Sequence, residues 1–318
     1  MANLSLNIAC WEYDRTRPLM NGQITPEGID LHFTCLRPEE TFERQVQHRE
    51  FDVSEFSLSY LVFLRSRGDW PYAGIPVFLS RFFRHSCIYI HSHAGIERPQ
   101  DLAGKTVGVP WYPMTAAVWM RALLQHEYDL APEKMAWLYA QDVFPWTPPA
   151  GLSLHQLARG QSLETMLESG EVAALFTARQ PAPFLSGSPN VRRLFPNYRA
   201  MEEEYFRRTR LFPIMHTVIV RREIAEQYPW VPASLFKAFE QAKRMCYQDL
   251  HETDALRFTL PWLMDEAERT ERVMGEDFWP YGIEANRHVV QSLVRYSHEQ
   301  GLAAREIGIE EIFAPVDS

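Results

Sequence analysis

One short stretch, residues 80–85, concentrates side chains suited to binding an aromatic acid. It contains Arg81, Phe82, Arg84 and His85, together with a serine and a second phenylalanine. Guanidinium groups grip carboxylates, aromatic rings stack on other rings, and an imidazole exchanges protons near neutral pH. The same spacing also fits an edge strand with exposed arginines and buried phenylalanines, so the sequence leaves both interpretations open.

A second stretch, residues 54–57, places two hydroxyls and one carboxylate directly after a predicted short strand. Glu55 lies next to apolar residues, and a carboxylate in a cleft tends to acquire a raised pKa. Glu55 is therefore expected to deliver a proton. Ser54 is expected to contact a ligand, whereas Ser57 fits a ligand contact and a helix cap equally well.

Five further residues occupy positions where a ligand could be held. Asp14 and Arg15 lie in a polar loop beside two aromatic residues, where ordinary ion pairs are the alternative. Thr115 opens a predicted helix whose first N–H groups suit a carboxylate, and Arg179 follows a predicted strand. His216 lies in an apolar strand, where a core histidine is the alternative.

Most of these residues lie at or just after the end of a predicted strand. Strands at residues 4–10, 29–36 and 172–176, among others, alternate with helices such as the one that begins at Pro38. This alternation indicates an α/β protein with mainly parallel sheets, and from residue 233 onward the chain is predicted to be largely helical. Since loops at the carboxyl ends of such strands line the ligand cleft, we expect these side chains to meet there.

Composition restricts the function classes. The 318 residues include 32 basic and 41 acidic residues, and the formal charge of -9 argues against nonspecific binding to nucleic acid or to an anionic membrane. Only four residues are lysines, none placed as a Schiff base requires, and the four cysteines lack metal or redox spacing. We expect no cofactor and no metal, and a homo-oligomer remains open. Because residues 1–7 lack a secretion pattern, a cytoplasmic location is expected.

Several motifs together carry a family resemblance. The segments "DLAGKTVGVP" and "ESGEVAALF" resemble the type II periplasmic-binding-protein superfamily, which implies two α/β lobes joined by two crossovers. Residues 1–95 plus 212–318 would form lobe 1, and residues 96–211 the inserted lobe 2, with the ligand cleft between them. More narrowly, "YDRTRPL", "FDVSEFSLS", "IPVFLSRFFRHSCIYI", "LFPIMHTVIVRRE" and "DFWPYGIEANR" resemble the 4,5-dihydroxyphthalate decarboxylase family.

The resemblance implies decarboxylation of a hydroxylated aromatic acid without a cofactor. His85 and His216 would transfer protons, with Glu55 as the alternative acid. Four arginines would position the carboxylates and the ring: Arg15, Arg81, Arg84 and Arg179. The alternative is a binding protein for an aromatic carboxylate that catalyses nothing. The missing secretion pattern favours the enzyme.

Overall fold

The computed structural model describes residues 2–68, 70–140, 146 and 148–316. Its strands form two sheets. Sheet A contains β1 (Leu4–Cys10), β2 (Ile29–Cys35), β3 (Val53–Ser57), β4 (Tyr72–Arg81) and β11 (Ile214–Arg221), in the order β2-β1-β3-β11-β4. Sheet B contains β5 (Ile88–His91), β6 (Thr106–Val109), β7 (Ala136–Tyr139), β8 (Ser153–Gln156), β9 (Ala174–Phe176) and β10 (Val191–Arg193), in the order β10-β5-β9-β6-β7-β8.

Helices flank both sheets. Those that precede β11 are α1 (Arg17–Met20), α2 (Pro38–His48), α3 (Leu58–Arg67), α4 (Thr115–Tyr128), α5 (Leu163–Ser169), α6 (Ala182–Leu185) and α7 (Tyr198–Thr209). Those that follow it are α8 (Arg222–Gln227), α9 (Trp230–Leu250), α10 (Leu263–Met274), α11 (Ile283–Glu299) and α12 (Ile309–Ile312), so the predicted helical end is present. No helix in the described parts of the chain is long and apolar enough to cross a membrane.

The predicted two-lobed α/β fold is confirmed, and both sheets are mixed. In sheet A, β1 pairs in parallel with β2 and β3, whereas β11 runs antiparallel between β3 and β4. In sheet B, β5 runs antiparallel to both of its neighbours, β9 and β10. The reason is topological, because β5 and β11 are the first strands after the chain crosses from one sheet to the other.

One predicted boundary differs from the observed pairing. Residue 95 was expected to end the first segment of lobe 1, which would include β5 in that lobe. The structure instead pairs β5 with β9 and β10 of sheet B. By sheet membership the chain therefore crosses between Arg81 and Ile88, before β5 and not after it.

Local sequence explains the elements that position the cleft. Every residue of β3 is buried, as expected for a strand covered on both faces. In α2, Pro38 occupies the first turn together with Glu39 and Glu40, and the helix ends at Arg49 in the left-handed conformation. A single cluster of buried apolar side chains continues through both lobes, so the two lobes pack directly on each other.

Candidate active site

A buried carboxylate and a histidine meet in sheet A, beside the residues that contact α4 of the other lobe. Because β11 runs antiparallel to β3, its first residues lie beside the last residues of β3 and β4, and His216 is paired with Ser57 and Ser80. Glu55 and Ser57 are two residues apart on β3 and share a face, so His216 reaches Glu55 diagonally. The distance from His216 Nδ1 to Glu55 Oε1 is 2.6 Å.

Three donors converge on the Glu55 carboxylate. Besides His216, the Tyr13 hydroxyl donates to Oε1 at 2.6 Å, and the Trp11 backbone N–H donates to Oε2 at 3.1 Å. Burial alone raises the pKa of Glu55, but the hydrogen bonds from His216, Tyr13 and Trp11 outweigh it and hold the pKa below its usual value. The expected raised pKa of Glu55 was therefore wrong, because the sequence did not reveal these donors. Glu55 is a charged acceptor that orients its neighbours.

His216 keeps one ring nitrogen available. Its Nδ1 is engaged by Glu55, and Nε2 has no hydrogen-bond partner among the described residues. The ring packs edge-on against Phe42 of α2, with centroids 4.9 Å apart, and one-fifth of the side chain is exposed. A carboxylate on Nδ1 fixes the tautomer and the orientation of the ring. The arrangement is suited to proton exchange through Nε2.

Hydroxyl groups from both lobes meet at the start of α4. Thr115 Oγ1 lies 2.9 Å from Ser57 Oγ and 2.9 Å from Ser59 Oγ. Ser57 also caps α3 by accepting from the Tyr60 backbone N–H at 3.4 Å, so the cap and the cleft position are both realised. The backbone N–H groups of Ala117 and Val118 donate to the Met114 carbonyl, whereas those of Thr115 and Ala116 have no acceptor among the described residues. Hydroxyls and free N–H groups at one helix N-terminus are suited to a carboxylate.

Asp14 and Arg15 lie beside Tyr13, which contacts Glu55, and their charges are largely paired. Arg15 donates to Asp14 at 2.7 Å, and through Nε to the Leu79 carbonyl at 2.9 Å. Its guanidinium lies between the rings of Tyr13 and Trp279, 4.3 Å and 4.4 Å from their centroids. The stack holds the Tyr13 ring in place, and the Tyr13 hydroxyl donates to Glu55. Arg15 therefore supports the site through Tyr13.

Residues 81–85 do not form the expected constellation. Arg81 is buried and donates to the backbone carbonyls of Phe212 and Pro280 and to Asn286, and burial lowers its pKa to about 9. Phe82 is 50% exposed, the reverse of the alternation expected for an edge strand. Arg84 is buried against Cys87 and stacks near Phe82. The structure does not place Arg81 as the predicted carboxylate clamp, because its guanidinium donates to two backbone carbonyls and to the Asn286 side chain.

His85 belongs to a different neighbourhood from His216. It packs between Phe195 and Tyr205, each 5.4 Å away, and its Nδ1 lies 3.8 Å from Glu202 Oε1. Burial lowers the pKa of His85 to about 4. Within the described residues no contact joins His85 to Glu55 or His216, so the expected pair of proton-transferring histidines is not assembled.

The remaining predicted residues lie apart from the Glu55 cluster. Ser54 is buried on the opposite face of β3, and its hydroxyl has no partner in the described chain. Arg179 is 67% exposed and pairs with Glu39 of α2 at 2.7 Å, which joins the two lobes at the surface. Surface cavities of about 310 Å³ lie elsewhere, against α7.

Two residues of the site escaped the sequence analysis. Tyr13 was noted only as an aromatic neighbour, and Ser59 was not considered. Ser59 lies inside α3 two residues after Ser57, and its position shows its role only once α4 of the other lobe is placed against it. Across the described chain, no three His, Cys, Asp or Glu side chains come together as a metal site requires.

Solved structures share this fold at low sequence identity. The periplasmic sulfonate-binding protein SsuA of Methylobacillus flagellatus aligns with a TM-score of 0.61 and 13% identity, over 99% of this chain and 93% of its own. The desulfurization enzyme DSZB aligns with a TM-score of 0.53 and 13% identity, over 98% and 97%. One fold thus carries a binding protein and an enzyme, and it does not decide between them.

Sequence comparison is more specific. No protein-family model matches the chain. The 4,5-dihydroxyphthalate decarboxylase of Comamonas testosteroni is 38% identical over 322 residues, covering 99% of this chain and 98% of that enzyme. A second protein of that name, from Pseudomonas putida, is 36% identical over 65% of this chain and 83% of its own length. The resemblance expected from the motifs is confirmed, and the chain belongs to the 4,5-dihydroxyphthalate decarboxylase family.

Proposed function

We propose that the protein decarboxylates a hydroxylated aromatic carboxylic acid such as 4,5-dihydroxyphthalate, giving protocatechuate and carbon dioxide. The observation that carries the proposal is the Glu55–His216 pair, a buried ionised carboxylate bonded to a partly exposed imidazole. A protein that only bound its ligand would have no use for such a pair. The relatives that cover most of this chain support the same reaction.

The chemistry requires an electron sink, since the bond to carbon dioxide leaves its electrons on the ring. A hydroxyl para to the departing carboxylate supplies one. Removal of the phenolic proton by a base moves charge to the carboxylate-bearing carbon, which takes up a proton from the solvent and becomes tetrahedral. Carbon dioxide then leaves from the dienone, the electrons of the broken bond restore the aromatic ring as a phenolate, and the base returns the first proton to the phenolate oxygen. Overall, one proton replaces one carbon dioxide.

His216 takes the proton-transfer role in this scheme, through Nε2. Glu55 on the opposite nitrogen favours the imidazolium that forms when His216 accepts the phenolic proton. Tyr13 and the Trp11 N–H hold Glu55 in place while that charge develops. Ser57, Ser59 and Thr115 hold a substrate carboxylate at the start of α4, and closure of the lobes limits water around the ring.

A cytoplasmic location and a small aromatic carboxylate as partner belong to the same proposal. The cysteines are free thiols, three of them buried, which suits a reducing compartment. Fractionation of the producing cells, with the protein followed by immunoblot, tests the location.

The test of the reaction is direct. Purified protein is incubated with 4,5-dihydroxyphthalate, and carbon dioxide and protocatechuate are measured together. Equal amounts of both products are expected, and the rate of their formation should fall by at least about 100-fold in His216→Ala. A surface histidine, His126→Asn, is the matched control and should leave turnover unchanged. Binding of the substrate without either product would replace this proposal with the binding-protein alternative.

A further inference from the structure

Arg121 of α4 is a buried cation without a countercharge among the residues that the structure describes. The side chain is completely buried, and its one recorded hydrogen bond runs from Nε to Gln300 Oε1 at 2.8 Å. Neither Nη1 nor Nη2 has an acceptor in the part of the chain that the structure describes. Burial of this kind is costly, because a charge removed from water needs a partner. An arginine nevertheless keeps its proton in proteins, so the charge persists.

The guanidinium lies behind the start of α4. Its Cζ is 3.8 Å from the centroid of the Tyr112 ring, in the short loop that leads from β6 to Thr115. Six residues correspond to roughly 9 Å of helix rise and roughly 600° of rotation, so Arg121 and Thr115 leave α4 on different sides. Because helical side chains lean toward the N-terminus, the charge of Arg121 lies roughly 10 to 12 Å from the hydroxyls of Ser57, Ser59 and Thr115.

We propose that Arg121 is an electrostatic specificity residue, a buried unpaired positive charge behind the N-terminus of α4 that favours substrates with two carboxylates. It acts through space and touches no substrate atom, so it is a positioning residue. The inference rests on the proposed function, because it assumes that a carboxylate occupies the start of α4. Beyond the proposed function, the inference states that the site prefers substrates with two negative charges.

The expected size follows from Coulomb's law. Two unit charges about 10 Å apart, at an effective dielectric constant of about 20, attract strongly enough to change an affinity about tenfold. The charge of Arg121 raises the affinity for a ligand with two negative charges more than the affinity for a ligand with one. A structural role would change the affinity for both ligands by the same factor.

The test uses equilibrium binding of phthalate and benzoate, two unreactive probes that carry two charges and one charge at pH 8. Calorimetric titration compares the wild type with Arg121→Met and Arg121→Lys. In Arg121→Met, phthalate affinity should fall at least tenfold and the preference for phthalate over benzoate at least threefold. Arg121→Lys should keep the preference within twofold, since it keeps the charge. Where Arg121→Met does not fold, Arg121→Gln gives the same comparison.

The matched control is Arg193→Met. Arg193 is also stacked on aromatic rings beside sheet B, 4.6 Å from the Phe184 centroid, but it lies on the edge strand β10. Its variant should keep the wild-type preference. An unchanged preference in Arg121→Met or Arg121→Gln overturns the inference, as does a wild type that binds phthalate no more tightly than benzoate. Neither result depends on turnover, so failure of the decarboxylase proposal would be seen separately.

Discussion

Glu55 and His216 meet at 2.6 Å, whereas Glu202 and His85, also enclosed by the protein, stay 3.8 Å apart. The pKa of Glu55 is held below its usual value by His216, Tyr13 and the Trp11 N–H, despite burial. Burial dominates the second pair, raising the pKa of Glu202 to about 7 and lowering that of His85 to about 4. The charged form of the carboxylic acid is thus favoured at Glu55 and the neutral form at Glu202, depending on the donors aimed at each carboxyl group.

The largest expected effect is a difference in kcat between variants of the two histidines. His216→Ala should lower kcat for decarboxylation by about 10²- to 10⁴-fold, since it removes proton transfer. His85→Ala should keep kcat within about threefold, because His85 packs against α7 and not in the cleft. Initial rates of protocatechuate formation at saturating substrate measure both. Similar losses in the two variants would contradict the separation.

The next effect concerns the two carboxylates. Glu55→Gln keeps an oxygen that accepts from Tyr13 but removes the charge that stabilises the imidazolium, so kcat should fall about 10- to 100-fold. Glu202→Gln is the matched control and should stay within about threefold of the wild type. Circular dichroism of both variants checks that the fold is retained. Full activity in Glu55→Gln would show that the charge is not needed.

The Glu202 pair also predicts a pH dependence of stability. The pKa of Glu202 lies above its ordinary value of 4.5, so the folded protein holds a proton between pH 4.5 and about 7 that the unfolded chain has lost. Stability contributed by Glu202 therefore falls as pH rises through that window, by up to about 3 kcal/mol. Glu202→Gln should match the wild type near pH 4.5 and exceed it at pH 8.

His85 changes stability in the opposite sense. Its pKa of about 4 lies below the ordinary 6.5, so stability is lost as pH falls between those values. The two slopes partly cancel in the wild type, and Glu202→Gln should expose the histidine slope. Urea unfolding at pH 4.5, 6 and 8 measures this, with the exposed Glu223→Gln as control. A wild-type profile in Glu202→Gln would mean that Glu202 ionises normally.

The smallest effect is expected at the bridge between Arg179 and Glu39. Both side chains are about two-thirds exposed, and exposed ion pairs contribute little. Arg179→Ala and Glu39→Ala should each change KM by no more than about twofold. If Arg179 bound a substrate carboxylate, KM would rise tenfold or more in Arg179→Ala alone. Steady-state kinetics of the two variants distinguishes these outcomes.

Sequence reasoning singled out Glu55, Ser57 and Thr115 from their local positions. Ser57 ends β3 and Thr115 begins α4, whereas Glu55, which was predicted to follow a strand, lies in the middle of β3. The same reasoning failed at residues 81–85, where closeness along the chain was taken as closeness to the cleft. The chain leaves sheet A at Arg81, and acceptors from residues 212 and 280 draw that side chain into the interior. The Glu55–His216 bond joins residues 161 positions apart, which no local pattern reveals.

The placement of β11 between β3 and β4 has a consequence for biosynthesis. A ribosome that adds 5 to 20 residues per second needs roughly 10 to 30 seconds to pass from Glu55 to His216. During that interval β3 can pair with β1 but not with β11, β4 lacks β11 as well, and the Glu55 carboxylate lacks its histidine. A nascent chain that ends before residue 221 therefore exposes the edges of two strands to chaperones or to other nascent chains. The Glu55–His216 pair and the complete sheet A must form in the same late folding step.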